Sequence, residues 1–289
     1  MTGGTLLQDT RPEGILPAGR PLRSILAEVA NLYFGLDAAT ETCSMRLSDV
    51  ADSRAGALRE LLALQGKTAP MDLKTCGALT IGALSWSVFY PLLAVHHATA
   101  GDRIQLELSQ ITVDTTLHIS DDDPDAHRWL ELRAFPDGGE VYDATLDDVE
   151  LHDLYISLMR PIISHLSSTT GLNASAHWRL AADMVALCFI TMSTQVRDPE
   201  AFIARGQRFL SLPGSELNNG KSGFMFIDVV DDVTHEVLAA RWFLRRGGCC
   251  RIYTSEGKGY CNACVLRKLP EREEIFRSQL REELREAAA

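Results

Sequence analysis

The chain has 289 residues, 46% hydrophobic and 23% charged, with a formal net charge of -11. That length allows one large core or two modest ones, and the balance excludes a generally disordered chain. The acidic excess argues against nucleic acid as a partner, because a phosphate-binding surface needs a contiguous surplus of Lys and Arg.

Residues 1–20 read as a flexible tail. They lack the charged start, apolar run and small-residue cleavage site of a secretory signal, which points to the cytoplasm. Apolar residues at helical spacing predict a helix over Pro21–Leu36 and another over Arg54–Leu64. From Thr75 to Val95 there is no charged side chain, about the length needed to cross a bilayer. Gly77, Thr80, Gly82, Ser85, Ser87 and Pro91 interrupt that run and no second span accompanies it. The expectation is a buried helix and no transmembrane span. His96 and His97 close it; adjacent positions do not share a helical face, so they read as polar residues at the exit from the core.

Arg103–Leu108, Ile111–Ile119 and Trp129–Ala134 have the alternation and branched content of strands, bracketed by turns at Ala100-Gly101-Asp102 and Pro136-Asp137-Gly138-Gly139. The carboxylate run Asp121-Asp122-Asp123-Pro124-Asp125 lacks the twelve-residue calcium loop and reads as a solvated turn. Helical pattern returns over Asp147–Ser168, Ala174–Val196 and Asp198–Leu210. Phe224–Val229 and Glu236–Leu244 then read as paired strands, and Glu271–Ala289 as a charged helix. Helices outnumber strands and the two are clustered rather than alternating. This predicts an α+β fold: a helix-rich domain with a central, mostly antiparallel sheet. The expected organisation is a tail at 1–20, a body at 21–240 and a C-terminal region at 241–289.

No Gly-rich dinucleotide fingerprint, P-loop or Gly-x-Ser-x-Gly elbow is present. The chemistry is instead concentrated in cysteine. Of seven cysteines, Cys43, Cys76 and Cys188 are scattered in apolar or mixed surroundings and read as reduced, buried structural residues. The other four form Cys249-Cys250-x10-Cys261-x2-Cys264 among small and basic residues, a metal-site pattern. Four thiolates can complete tetrahedral zinc or ligate a [2Fe-2S] cluster, and both stay open on spacing alone. The adjacent pair departs from the two Cys-x-x-Cys knuckles usual for structural zinc.

Successive side chains on a strand point to opposite faces, so Cys249 and Cys250 reach one centre only if the backbone leaves strand geometry, which Gly247 and Gly248 permit. Gly257 and Gly259 would let main-chain amides approach sulfur. Between Arg241 and Lys268, Arg241, Arg245, Arg246, Arg251, Lys258, Arg267 and Lys268 stand against Glu256 alone. That local positive surplus suits an anionic centre, substrate or redox partner.

The pattern Cys-Cys-x10-Cys-x2-Cys near the C-terminus, preceded by Arg245-Arg246, resembles the FhuF-type ferric-siderophore reductases. The resemblance covers about residues 241–268; over the rest it is loose, and Val265 stands where many relatives carry Pro. It implies one [2Fe-2S] cluster per chain on Cys249, Cys250, Cys261 and Cys264. It further implies reduction of ferric siderophores, commonly hydroxamates, in the cytoplasm, near the inner face of the membrane, with an external electron donor such as a ferredoxin or flavin reductase. Arg245, Arg246, Arg251, Lys258 and Trp242 become candidate substrate contacts, with Tyr253 and Tyr260 flanking the loop. The competing readings are a zinc-stabilised binding module and an iron–sulfur sensor or electron carrier.

Overall fold

The computed structural model describes residues 20–30, 42–119 and 128–288. The N-terminal tail up to residue 19, the last part of the first predicted helix and the Asp121–Asp125 run lie outside the described residues. The fold is α+β with antiparallel sheets.

In chain order the elements are β1 (Arg20–Pro21), α1 (Leu22–Ala30), β2 (Thr42–Arg46), α2 (Leu47–Ala51), α3 (Ala57–Gly66), α4 (Leu73–Ala98), β3 (Asp102–Gln105), β4 (Ile111–Ile119), β5 (Arg128–Pro136) and β6 (Glu140–Thr145). Then follow α5 (Asp148–Thr170), α6 (Ala174–Ser193), α7 (Pro199–Leu210), β7 (Gly223–Val230), β8 (Val237–Arg245) and α8 (Leu269–Ala288). Side-chain caps start the helices where the sequence supplies them. Asp72 accepts from the Thr75 N–H at the start of α4, Asp147 and Glu150 form a capping box on α5, and Asn173 and Asp198 cap α6 and α7. Each such cap satisfies N–H groups that the helix cannot pair internally.

Helix α4 is apolar on nearly every face, and its sequence therefore demands burial on every face. It alone among the described residues is long and apolar enough to cross a membrane, and most of it is buried among the other elements. It packs against α6, β5, α3 and α5. Phe89 on α4 meets Tyr155, Phe189 and Phe209, with ring centroids 5.0, 5.9 and 5.2 Å away, so α4 ties α5, α6 and α7 into one core. His96 is buried at the far end of α4. Its Nε2 donates to the Leu146 carbonyl at 2.7 Å and its Nδ1 accepts from Arg205 at 2.8 Å, while Arg205 pairs with Asp148. His97 instead packs edge-on against Phe202. Neither joins a metal-binding group among the described residues.

Among the described residues the strands form two three-stranded sheets, ordered β1-β6-β3 and β2-β4-β5, and a separate β7-β8 hairpin, all antiparallel. Sequence patterning misses β2, β6, the one-and-a-half-turn α2 and the two-residue β1, whose Arg20 it gives to the tail and Pro21 to a helix; all are too short for their periodicity to stand out. It also assigns β3, β4 and β5 to one sheet, whereas β3 pairs with β6 and β4 with β2 and β5. Cys76 and Cys188 are buried as expected, but Cys43 is only half-buried. It sits on β2 and donates to Glu60 at 3.2 Å.

The hairpin and α8 enclose a second, small core of Met225, Ile227, Val229, Phe243, Phe276 and Leu280. Phe243 stacks on Phe276 at 4.4 Å. The segment carrying the four cysteines runs between this unit and the N-terminal ends of α4 and α6.

Candidate metal centre

Strand β8 ends at Arg245, and the chain then turns against α6. Asp183, wholly buried on α6, fixes that turn. Its carboxylate accepts from the Gly247 N–H at 2.7 Å, the Gly248 N–H at 3.0 Å, the Ser222 hydroxyl at 2.7 Å and Arg246 Nε at 3.3 Å. Burial pushes the Asp183 carboxyl up, and Arg246 with the two main-chain donors pulls against it. Burial likewise works against the Arg246 charge, but Asp183 and the neighbouring thiols hold the guanidinium firmly protonated.

Gly247 and Gly248 are required here for a reason other than the conformational freedom expected from the sequence. Neither adopts a positive φ. A Cβ on Gly248 would stand 2.9 Å from the Leu180 main-chain nitrogen, and one on Gly247 would stand 2.6 Å from that of Ser222. The glycines bring the chain into direct backbone contact with α6 and the Ser222 turn. The left-handed residue is Arg251, at φ 61°, which redirects the chain immediately after Cys250. Arg251 then pairs with Asp72 at 2.7 Å, and Thr254 meets Thr75 at 3.2 Å, so the loop is also pinned to the first turn of α4.

Cys249, Cys250, Cys261 and Cys264 line one narrow cavity together with Arg246, Tyr253 and Tyr260. Cys264 is buried and the other three are half-buried. Cys250 and Cys261 lie within hydrogen-bonding reach, and the proton they share is biased: the Cys261 contact, aided by Arg246 and the Ile252 N–H, pulls the Cys250 thiol down, while the same contact pushes Cys261 up. Arg246 Nη1 stands 3.6 Å from Cys261 Sγ. Among the described residues the Ile252 N–H is a main-chain donor to Cys250 sulfur, and a Cβ on Gly257 or Gly259 would meet nothing within 4 Å. Among the described residues no three thiol, imidazole or carboxylate groups converge on one ion. Tetrahedral zinc needs four sulfurs about 2.3 Å from a single point, whereas a two-iron centre takes its cysteines in pairs. An all-thiol donor set spread around a shared cavity, with cationic and N–H donors beside it, fits the second.

The remaining candidates separate. Arg245, Arg246 and Arg251 line a cavity of about 490 Å³ beside Cys249. Lys258 is exposed on the loop. Trp242 packs on Phe226 at 5.0 Å on the hairpin. Tyr253 and Tyr260 meet edge-on at 5.3 Å over the cysteines. Sequence reasoning missed Asp183, although it is the only charged residue on α6 after Arg179, in the midst of an apolar helix; that isolation was the available signal. It also missed two cavities on the Cys261 side. One of about 670 Å³ touches Cys261, Asn262 and Ala263 and shares Gly82, Ala83 and Met184 with a larger one of about 840 Å³ containing Trp86, Tyr90 and Trp129. These were invisible in sequence because α4 and α6, joined by β5 in the larger cavity and by α8 in the smaller, are distant in the chain and form their walls.

No curated protein matches the chain. Residues 246–266 match the FhuF 2Fe-2S C-terminal domain, a span that contains all four clustered cysteines. The chain therefore carries an FhuF 2Fe-2S C-terminal domain, whose cofactor is a [2Fe-2S] cluster.

Proposed function

We propose that this protein is a ferric-siderophore reductase in which Cys249, Cys250, Cys261 and Cys264 hold one [2Fe-2S] cluster. The observation that carries the reading is that these four thiols, and among the described residues no carboxylate or imidazole, line a single cavity within the matched segment. When bound, the cluster supplies single electrons, the chemistry that converts chelated Fe(III) to Fe(II). Siderophores hold Fe(II) far more weakly, so reduction releases the metal.

The chain's own residues prepare the site. Asp183 fixes the turn that presents Cys249 and Cys250. Arg246 and the Ile252 N–H direct positive charge and a donor at Cys261 and Cys250, which favours the more negative, reduced state. Arg246 and Arg251 are committed to Asp183 and Asp72 and act by positioning the loop. Arg245, with Lys258 and Trp242 more peripherally, remains a substrate contact in this reading. Tyr253 and Tyr260 screen the sulfurs from water. Residues 241–289 form the cluster-binding region and 21–240 the body, with β7 pairing across that boundary. The protein works in the cytoplasm on a ferric siderophore, hydroxamates being the type suggested by resemblance, with a ferredoxin or flavin reductase as donor.

The test is to reduce the cluster-loaded protein anaerobically and add ferric siderophores of varied type while following visible absorption and trapping Fe(II) with a ferrous chelator. Reoxidation with stoichiometric Fe(II) supports the reading. No reoxidation by any member of the set would sink it and leave an iron–sulfur sensor or electron carrier.

A further inference from the structure

We propose that the cavity beside Cys249 is a binding site for a polyanionic ferric chelate, one whose iron is held by catecholate or carboxylate oxygens. This rests on the reductase reading above and narrows its substrate to a class other than the hydroxamates. The cavity, about 490 Å³, is of small-molecule size. Cys249 forms part of its wall, together with Arg179, Lys221, Arg245, Arg246, Arg251 and Arg272, and among the described residues no Asp or Glu does. Arg246 and Arg251 are neutralised by Asp183 and Asp72. Arg179, Lys221, Arg245 and Arg272 have no carboxylate partner among the described residues.

Four uncompensated cations exceed the charge of about -2 on an oxidised four-thiolate cluster, so the cofactor alone does not account for them. Three of the guanidinium groups, on Arg245, Arg251 and Arg272, also keep a buried Nε–H without an acceptor. Buried donors are normally paired, and anionic oxygens are the complement that charged donors bind most strongly. The concave shape selects a small anion over the convex surface of a protein partner. The Cys261 side offers less charge: its lining cations are Arg23, Arg133, which pairs with Glu131 at 2.7 Å, and Arg246, which pairs with Asp183. A ferric complex of catecholates or carboxylates retains net negative charge, whereas a ferric trihydroxamate is neutral or cationic. The cavity therefore discriminates by charge and holds the chelate against the Cys249 side of the centre.

The experiment uses cluster-loaded protein and redox-inert gallium(III) complexes, one of a tricatecholate chelator and one of a linear trihydroxamate, titrated by calorimetry at two salt concentrations. The tricatecholate complex is expected to bind, more weakly at high salt, and to lose about tenfold in affinity in each of Arg179→Gln and Lys221→Gln, the equivalent of one charge-assisted hydrogen bond. Both side chains are exposed, so these variants keep the fold. Equal binding of the two complexes, or affinity unchanged in both variants but lost in Trp86→Ala of the other cavity, would overturn the proposal. The reductase reading fails separately: gallium tricatecholate bound while its ferric counterpart is never reduced keeps the cavity and removes the activity. Reduction of a ferric trihydroxamate without any binding of the anionic complex does the reverse.

Discussion

Replacing Asp183 by Asn is the sharpest test of how the cysteine loop is held. The side chain keeps its size but exchanges one acceptor oxygen for an NH2 group. Oδ1 still accepts from Ser222 and Gly247, both at 2.7 Å. The new Nδ2 takes the place of Oδ2 and faces the Gly248 N–H and Arg246 Nε, previously at 3.0 and 3.3 Å, so donors confront donors. Two hydrogen bonds to a charged group, each about 1.5–3 kcal/mol, are lost, and Arg246, only 13% exposed at its side chain, is left without its counter-ion. Breaking a buried pair costs about 3–5 kcal/mol, and the two routes agree. Urea unfolding of the cluster-loaded variant should therefore show a loss of that size, and purified protein should carry substoichiometric iron and sulfide. A loss below about 1 kcal/mol with full cluster content would refute the argument, because it would mean that the side chain is neutral in the native protein and that Asn replaces it without conflict.

Cys→Ser at any of positions 249, 250, 261 or 264 is expected to abolish or alter the visible spectrum and EPR signal, while Cys→Ala at 43, 76 or 188 leaves them intact; a colourless, folded Cys188→Ala protein would contradict the ligand set. Gly248→Ala drives a Cβ to within 2.9 Å of α6 backbone and should cost about 1–3 kcal/mol as an overpacked contact, measured by the urea midpoint together with reduced iron content. His177 on α6 is wholly buried, and burial pulls it down to about 4. Its folded value lies below the unfolded one near 6.5, so the neutral form is favoured by the fold. Stability is full above pH 6.5 and declines as pH falls toward 4, by about 3 kcal/mol in all; unfolding followed across that range should show a shallower acid limb in His177→Leu, and an unchanged limb would disprove the assignment. Asp72→Ala removes the α4 cap and the partner of Arg251. It should cost about 1 kcal/mol above pH 4. Because hydrogen bonding to Thr75 and the Arg251 charge hold this carboxyl at about 2, the difference from wild type should disappear as pH falls from about 4 through 2.

By itself the sequence determined the local features. The apolar run from Thr75 to Val95 marked a helix that needs shielding from water on every face, and its polar interruptions favoured burial within the protein over a membrane span. The alternation in Phe224–Val229 and Glu236–Leu244 required paired strands, and the spacing of Cys249, Cys250, Cys261 and Cys264 marked the metal centre, because a ligand set drawn from sixteen consecutive residues is almost wholly local. What the tertiary structure decided is everything that depends on residues meeting across the chain. Pairing of β3 with β6 rather than β4 could not be read from their patterns, since alternation specifies a face and not a neighbour. Asp183 lies more than sixty residues before the glycines it anchors, and Arg179, Lys221 and Arg272 come to the cavity beside Cys249 from three separate segments. Their charges look like ordinary solvated positions in the sequence, and they become a site only because α6, the Ser222 turn and α8 fold around the same loop.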